Sequence, residues 1–198
     1  MSIVDTIHYN NGHVYSGEIL ETNRLRHGYG VMTFVTGDHY RGEYKYDYRS
    51  GSGIYTYVNG EYYDGQFYMN RRQGYGVYVY SDGSQYTGKW RNNKKEGYGI
   101  LSYTNGIVIK GTFYDGTISY GEIIFPNQAE YIGEIKDYLM SGDGTIIYAD
   151  GLKIKGEFVD DNIIMGDLNG CCFCLKGVCN YDCEEYLKGI CANPNIFL

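Results

Sequence analysis

A short triplet, Tyr-x-Gly or its variant Ile-x-Gly, returns along this 198-residue chain at a nearly fixed interval. Tyr15-Ser-Gly17, Tyr40-Arg-Gly42, Tyr63-Asp-Gly65, Tyr86-Thr-Gly88, Ile109-Lys-Gly111, Tyr131-Ile-Gly133 and Ile154-Lys-Gly156 open seven units, spaced by 25, 23, 23, 23, 22 and 23 residues. Such a period calls for one small unit stacked on copies of itself, because a single copy cannot bury its own apolar face. Two residues past each glycine stands a large apolar side chain: Ile19, Tyr44, Phe67, Trp90, Phe113, Ile135 and Phe158. A Gly-x-Gly follows at Gly28/Gly30, Gly51/Gly53, Gly74/Gly76, Gly97/Gly99 and Gly142/Gly144, and Tyr120/Gly121 is its degenerate form. Four residues after the second position of that motif comes Phe34, Tyr57, Tyr80, Tyr103, Phe125 or Tyr148, then a turn signal such as Asn59-Gly60 or Asp82-Gly83. Asn127-Gln128 is the exception among these turns.

Within a unit the apolar positions fall on every second residue, as in Tyr40, Gly42, Tyr44 and again Gly53, Tyr55, Tyr57. That alternation predicts two strands with one apolar face, so each unit is a β-hairpin. A three-residue loop with Gly60 in the left-handed region sets Tyr63 beside Tyr55 and Gly65 beside Gly53, which gathers the aromatics on one face. The paired glycines are then expected to form a shallow trough between aromatic rows. Composition agrees: 25 Tyr and 29 Gly stand against 2 Pro, and Ala occurs only at positions 129, 149 and 192. Neither a helical bundle nor a Pro-rich linker is built that way.

These residues resemble the MORN repeat, whose Tyr-x-Gly-x-aromatic, Gly-x-Gly, aromatic and Asp/Asn-Gly pattern is matched from residue 15 to 158. Departures fall at Ile109, Tyr120, Gln128 and Ile154. The resemblance implies an all-β fold: an elongated, single-layer, twisted antiparallel sheet of stacked hairpins, used as a scaffold or partner-binding surface and proposed in some members to touch phospholipid. The expected organisation is a repeat array over residues 1–170, with strands from about residue 8, and a Cys-rich cap over 171–198 containing a short helix at 180–189. In enzymes of the family the array precedes a separate catalytic domain. The 28 residues after the last copy are too few for one, so a non-enzyme is expected.

The chemistry-bearing residues point the same way. All four His (His8, His13, His27, His39) precede residue 40, and all six Cys follow residue 170, so no local His/Cys set suggests a protease or mixed zinc site. Glu18, Glu43, Glu134 and Glu157 alternate with apolar neighbours and read as solvated-face residues. No cofactor and no small-molecule substrate are expected. Residues 1–110 carry 12 Lys/Arg against 10 Asp/Glu, and residues 111–198 carry 5 against 14. A net charge of -7 without a basic stripe disfavours nucleic acid, whose affinity comes largely from phosphate neutralisation. No stretch is long and apolar enough to span a membrane, and the first residues lack a secretory pattern; an intracellular protein is expected, cytoplasmic or peripheral to a membrane or large assembly.

Two binding surfaces are candidates. A one-layer sheet leaves its aromatic face to be covered by curvature, by itself or by another molecule, which singles out Tyr55, Tyr57, Tyr78, Tyr80, Trp90, Leu101 and Tyr103 for a protein partner or self-association. Arg26, Arg49, Arg72 and Lys95 recur every 23 residues, two positions before each Gly-x-Gly, and are expected to line one edge that meets an acidic protein or acidic phospholipid. Cys171, Cys172, Cys174, Cys179, Cys183 and Cys191 are candidates for disulfides, a structural zinc, S-acylation or plain packing in a cap folded over Phe158 and Ile163 to Met165. Low Ala and Pro with abundant Asn, Ile and Tyr look like an AT-rich genome, such as that of a protist or a large DNA virus.

Overall fold

The computed structural model describes residues 1–168 and 171–174, and every regular element among them is a β-strand. Two units are distinguished, Met1–Ile118 and the remainder from Ser119. The first holds β1 (Ser2–His8), β2 (Val14–Leu20), β3 (Arg26–Thr33), β4 (His39–Lys45), β5 (Tyr48–Thr56), β6 (Tyr62–Tyr68), β7 (Arg71–Val79), β8 (Gln85–Arg91), β9 (Lys94–Ser102) and β10 (Val108–Tyr114). Each pairs antiparallel with its sequence neighbour. The second holds most of β11 (Thr117–Ile124), then β12 (Glu130–Lys136), β13 (Leu139–Ile147), β14 (Lys153–Val159), β15 (Asn162–Leu168) and β16 (Cys171–Cys174), again paired antiparallel in order. Within each unit the strands contact essentially only their sequence neighbours, so the sheet is a single layer.

Two turn types alternate. Between β5 and β6, Tyr57 N–H donates to Glu61 O at 2.8 Å and Gly60 N–H to Tyr57 O at 3.0 Å, with Gly60 at φ 88. The three-residue loop therefore sets Gly53 opposite Gly65 and Tyr55 opposite Tyr63, the register the aromatic pattern demanded. Gln128 takes the same left-handed place at φ 67 without being Gly, so the loop geometry outweighs the cost of about 1 to 2 kcal/mol for an L-residue there. At the other ends, pairs such as Tyr46-Asp47, Met69-Asn70 and Asn92-Asn93 have both φ positive, the two-residue turn whose twist matches that of the strands.

The first strand is an addition to the expected array, which began near residue 8. Tyr9-Asn10-Asn11-Gly12 closes it with the same loop as Tyr57-Val58-Asn59-Gly60, Tyr9 N–H donating to His13 O at 2.9 Å and Gly12 lying at φ 85. The β-branched run before Asn11-Gly12 carried that signal, but no Tyr-x-Gly precedes it to set the period.

The core of each unit is built on tyrosine rings, four in the first unit and Tyr131 in the second. Tyr15, Tyr40, Tyr63, Tyr86 and Tyr131 are fully buried, each folded over a pair of facing glycines and donating its hydroxyl to the carbonyl three residues on. For Tyr63 that acceptor is Gln66 O at 2.9 Å. The expected open trough is thus occupied: Cβ atoms built on Gly42 or Gly53 would lie 2.6 or 2.3 Å from the Tyr40 hydroxyl. Between successive tyrosines stand Tyr44, Phe67 and Trp90, edge-on at centroid distances of 5.1 to 5.3 Å to the rings on either side. Such edge-to-face pairs contribute about 0.5 to 1.5 kcal/mol each beyond area burial.

Residues 175–198, including the expected helix and Cys179, Cys183 and Cys191, lie outside the described residues. Cys171, Cys172 and Cys174 belong to β16, which continues the antiparallel pairing onto β15 with Met165 opposite Cys174.

Candidate functional site

The four recurring cations stand on the aromatic face and not on an edge apart from it. Counting back by twos from Tyr55 through Gly53 and Gly51 arrives at Arg49, so the strand's own alternation puts the guanidinium on the tyrosine side. A bulge at each first glycine of Gly-x-Gly consumes two residues and keeps that parity. Across the bulge Arg26 pairs with Ile19, Arg49 with Tyr44, Arg72 with Phe67 and Lys95 with Trp90. The alternation was readable in the sequence; the bulge that makes it hold was not.

Each cation lies over several rings. The Arg49 guanidinium carbon is 5.0 Å from the Tyr55 centroid and 5.5 Å from those of Tyr40 and Phe67. Arg72 is 4.4 Å from Trp90, 5.1 Å from Tyr78 and 5.7 Å from Tyr63, while the Lys95 ammonium is 5.2 Å from Tyr86 and 5.6 Å from Tyr80. Arg26 stands 5.0 Å from Tyr44. A cation over an aromatic face is held by about 0.5 to 2 kcal/mol according to its exposure, which restrains otherwise mobile side chains.

The next repeat's two-residue turn holds the three arginines from the other side. Asn70 accepts from Arg49 N–H at 2.9 Å, and its carbonyl accepts from Arg49 Nη2 at 3.1 Å; Asn93 does the same for Arg72 at 2.8 and 3.0 Å. In the first copy the partner is Asp47, which makes an ion pair with Arg26 Nε at 2.6 Å.

Between neighbouring cations the face is recessed. A cleft of about 330 Å³ lies between Arg49 and Arg72 over Tyr55, Tyr57 and Phe67, and one of about 310 Å³ between Arg72 and Lys95 over Tyr78, Tyr80 and Trp90. Tyr55, Tyr57, Tyr80 and Tyr103 are half-buried, whereas Tyr78, Trp90 and Leu101 are buried and contribute as floor. Trp90 is anchored through Nε1, which donates to Gly76 O at 3.2 Å. Tyr55 and Tyr78 donate their hydroxyls to Asp38 and Glu61 of the preceding hairpin loop, which orients both rings.

The glutamates beside the repeat glycines do more than meet solvent. Glu18 and Glu43 each accept the N–H inside the bulge, from Tyr29 and Ser52 at 2.9 Å, and Gln66 replaces them at Tyr75 at 3.0 Å. Gln66 in this role shows that the task is hydrogen bonding and does not need the charge. Among the described residues no three His, Cys, Asp or Glu side chains gather as a metal set, and no helix is long and apolar enough to cross a membrane.

Burial on this face shifts titrations. Burial, aided by Arg72, pushes the Lys95 ammonium down from 10.5 to about 8. Burial raises the hydroxyls of Tyr15, Tyr40 and Tyr63 above their ordinary 10.0. Below pH 8 Lys95 is protonated both folded and unfolded. Between about 8 and 10.5 the unfolded chain binds a proton that the native state lacks, so stability rises with pH across that window. Above pH 10 the unfolded tyrosines ionise while the buried ones do not, so stability falls. Urea unfolding midpoints at pH 7, 9 and 11 are expected to rise and then fall. Lys95→Met removes the rise and leaves the fall; a rise that persists in that variant refutes the assignment.

Comparison with known proteins places these features. A family model described as MORN repeat matches residues 25–39, 40–62, 63–85, 86–108 and 131–153, more than half of the chain. It passes over 109–130, where Ile109, Tyr120 and Gln128 depart from the pattern. No match was found among curated proteins. Similar solved structures include the TCP domain of SAS-4 (dCPAP) of Drosophila melanogaster in complex with a proline-rich motif of Ana2, at 16% identity over 84% of each chain with a TM-score of 0.47. Another is the wild-type TCP10 domain of Danio rerio CPAP in complex with a peptide of Danio rerio STIL, at 14% identity over 84% of this chain and 87% of that one with a TM-score of 0.42.

Proposed function

We propose that this chain, which belongs to the MORN-repeat family, is a non-enzymatic scaffold that binds protein partners along its cationic aromatic face. The observation that carries the reading is the pair of consecutive clefts between Arg49, Arg72 and Lys95, lined by half-buried tyrosines on a sheet that has no second layer among the described residues. Exposed aromatic area of this kind costs free energy in water, and fixed cations among it add orientation and specificity to whatever covers it. The setting that suits such a chain is a larger assembly inside the cell, a cytoskeletal or membrane-junction complex or a large-virus particle. An acidic phospholipid surface is the second reading, favoured by the regular row Arg26, Arg49, Arg72 and Lys95. Against it, Arg49, Arg72 and Lys95 line clefts between aromatic rings, which a peptide side chain enters and a flat headgroup layer does not.

Crosslinking mass spectrometry in the native source tests the reading. Partner crosslinks are expected at Lys94 and Lys95, beside the second cleft, and are expected to weaken in a Tyr57→Ala, Tyr80→Ala variant. Crosslinks confined to Lys45 and Lys89, on the opposite face, overturn it. Flotation with phosphatidylserine vesicles that is abolished by Arg49→Glu with Arg72→Glu, in the absence of partner crosslinks, transfers the function to the lipid reading. A turnover mapped to this chain refutes the non-enzymatic part.

A further inference from the structure

The cation of the first repeat is already paired with an anion, supplied by the turn of the second. Arg26 donates through Nε to the Asp47 carboxylate at 2.6 Å and through Nη2 to the Asp47 carbonyl at 2.9 Å. The next two copies repeat the backbone and guanidinium contacts with Asn70 and Asn93, so the turn is built alike and only the charge differs. No described carboxylate makes an ion pair with Arg49 or Arg72. Both are half-buried, and each borders a cleft. A charge withdrawn from water costs free energy unless it is compensated, and Asp47 displays the compensating group in place.

We infer that the two central clefts receive the carboxylates of an extended acidic peptide, which supply to Arg49 and Arg72 the charge that Asp47 supplies to Arg26. The inference rests on the protein-binding reading and adds the chemistry of the partner. Spacing sets the peptide's form. Successive cations are separated by two strands, about 10 Å, which is about three residues of extended chain. In a β-strand, residues three apart point to opposite sides, whereas a polyproline II helix has three residues per turn at about 3.1 Å each and presents them on one side. The partner segment is thus a polyproline II stretch with Asp or Glu at every third position, lying across the strands over a tyrosine-lined floor of the kind that such helices dock on.

The probe is a fluorescein-labelled (Glu-Pro-Pro)4 peptide titrated with the full chain at low ionic strength and read by anisotropy. Two comparison peptides are (Gln-Pro-Pro)4 and a peptide of the same composition with its four Glu residues contiguous. Both are expected to bind at least about tenfold more weakly than (Glu-Pro-Pro)4. Asn70→Asp with Asn93→Asp installs the internal carboxylate of the first copy, at φ 67 and 70 where Asp47 already sits at φ 74. That variant is expected to lose binding about tenfold or more while its melting temperature stays the same or rises. Equal binding of the Gln peptide, or full binding by the double Asp variant, overturns the inference. So does capture of phosphatidylserine vesicles by a wild type that ignores every peptide. If partner crosslinks map to Lys94 and Lys95 but no acidic peptide binds, the inference fails and the protein-binding reading stands. If crosslinks map to the opposite face, that reading itself fails.

Discussion

Tyr63→Ala is expected to destabilise the chain by about 3 to 5 kcal/mol, the range for removing a fully buried aromatic side chain. The ring is 0% exposed, lies over Gly65 and Gly76, and meets Phe67 at 5.1 Å and Trp90 at 5.3 Å edge-on. Among the described residues no second layer stands ready to collapse into the space it leaves. Its hydroxyl also satisfies Gln66 O at 2.9 Å, a carbonyl held in the bulge. Tyr63→Phe keeps the ring and loses only that bond, so it is expected to cost about 1 kcal/mol. Urea unfolding followed by tryptophan fluorescence measures both, because Trp90 is the chain's single Trp and packs against the altered ring. A loss below 1 kcal/mol for Tyr63→Ala refutes the tyrosine row as the core. Repeats interact with their nearest neighbours, so the damage is expected to spread from this hairpin to those beside it.

Gly65→Ala is expected to be nearly as damaging, at about 3 kcal/mol, the upper end of the usual range for overpacking a filled core. A Cβ there would sit 2.5 Å from the Gly76 Cα and 2.6 Å from the Tyr63 hydroxyl. One of these neighbours is the backbone of the paired strand and cannot rotate away, so ring, strand spacing or register must yield. Gly60→Ala is the informative contrast. Nothing lies within 4 Å of its Cβ position, but its φ of 88 imposes the left-handed penalty of about 1 to 2 kcal/mol. Thermal melts of the two variants are therefore expected to rank Gly65→Ala well below Gly60→Ala. The reverse order means that turn conformation, and not ring seating, explains the repeat glycines.

Much of the fold was legible because it is local and repeated. Period two identified the strands, period 23 identified the hairpins, and the aromatic pattern selected the three-residue loop at Gly60 over a two-residue one. The first strand was missed because its only mark, Tyr9-Asn10-Asn11-Gly12, stands outside the full period. The site was half legible. The Tyr55, Tyr57, Tyr78 and Tyr80 rows and the cations at Arg49 and Arg72 were both identified, yet as separate surfaces. Their union depends on the bulge at Gly51 and Gly74, where φ of 82 and 81 absorbs two extra residues and returns Arg49 and Arg72 to the tyrosine side. The role of Glu43 and Gln66 in clasping that bulge was hidden for the same reason, since a carboxylate on a solvated face looks alike whether or not it accepts an N–H.

The sequence by itself determined what repeats, which residues alternate onto one face and which turns close the hairpins, because each depends on conformational preferences a few residues long. Only the tertiary structure decided what fills the space between strands. A glycine pair is compatible with an empty trough or with a seated ring, and the ring wins because Tyr40 and Tyr63 reach carbonyls three residues on while burying their full surface. The charge state of the face was decided at the same level. Asp47 and Asn70 occupy equivalent turn positions, and their difference acquires meaning only when the turn of one repeat is brought against the cation of the repeat before it, 21 residues away in the chain.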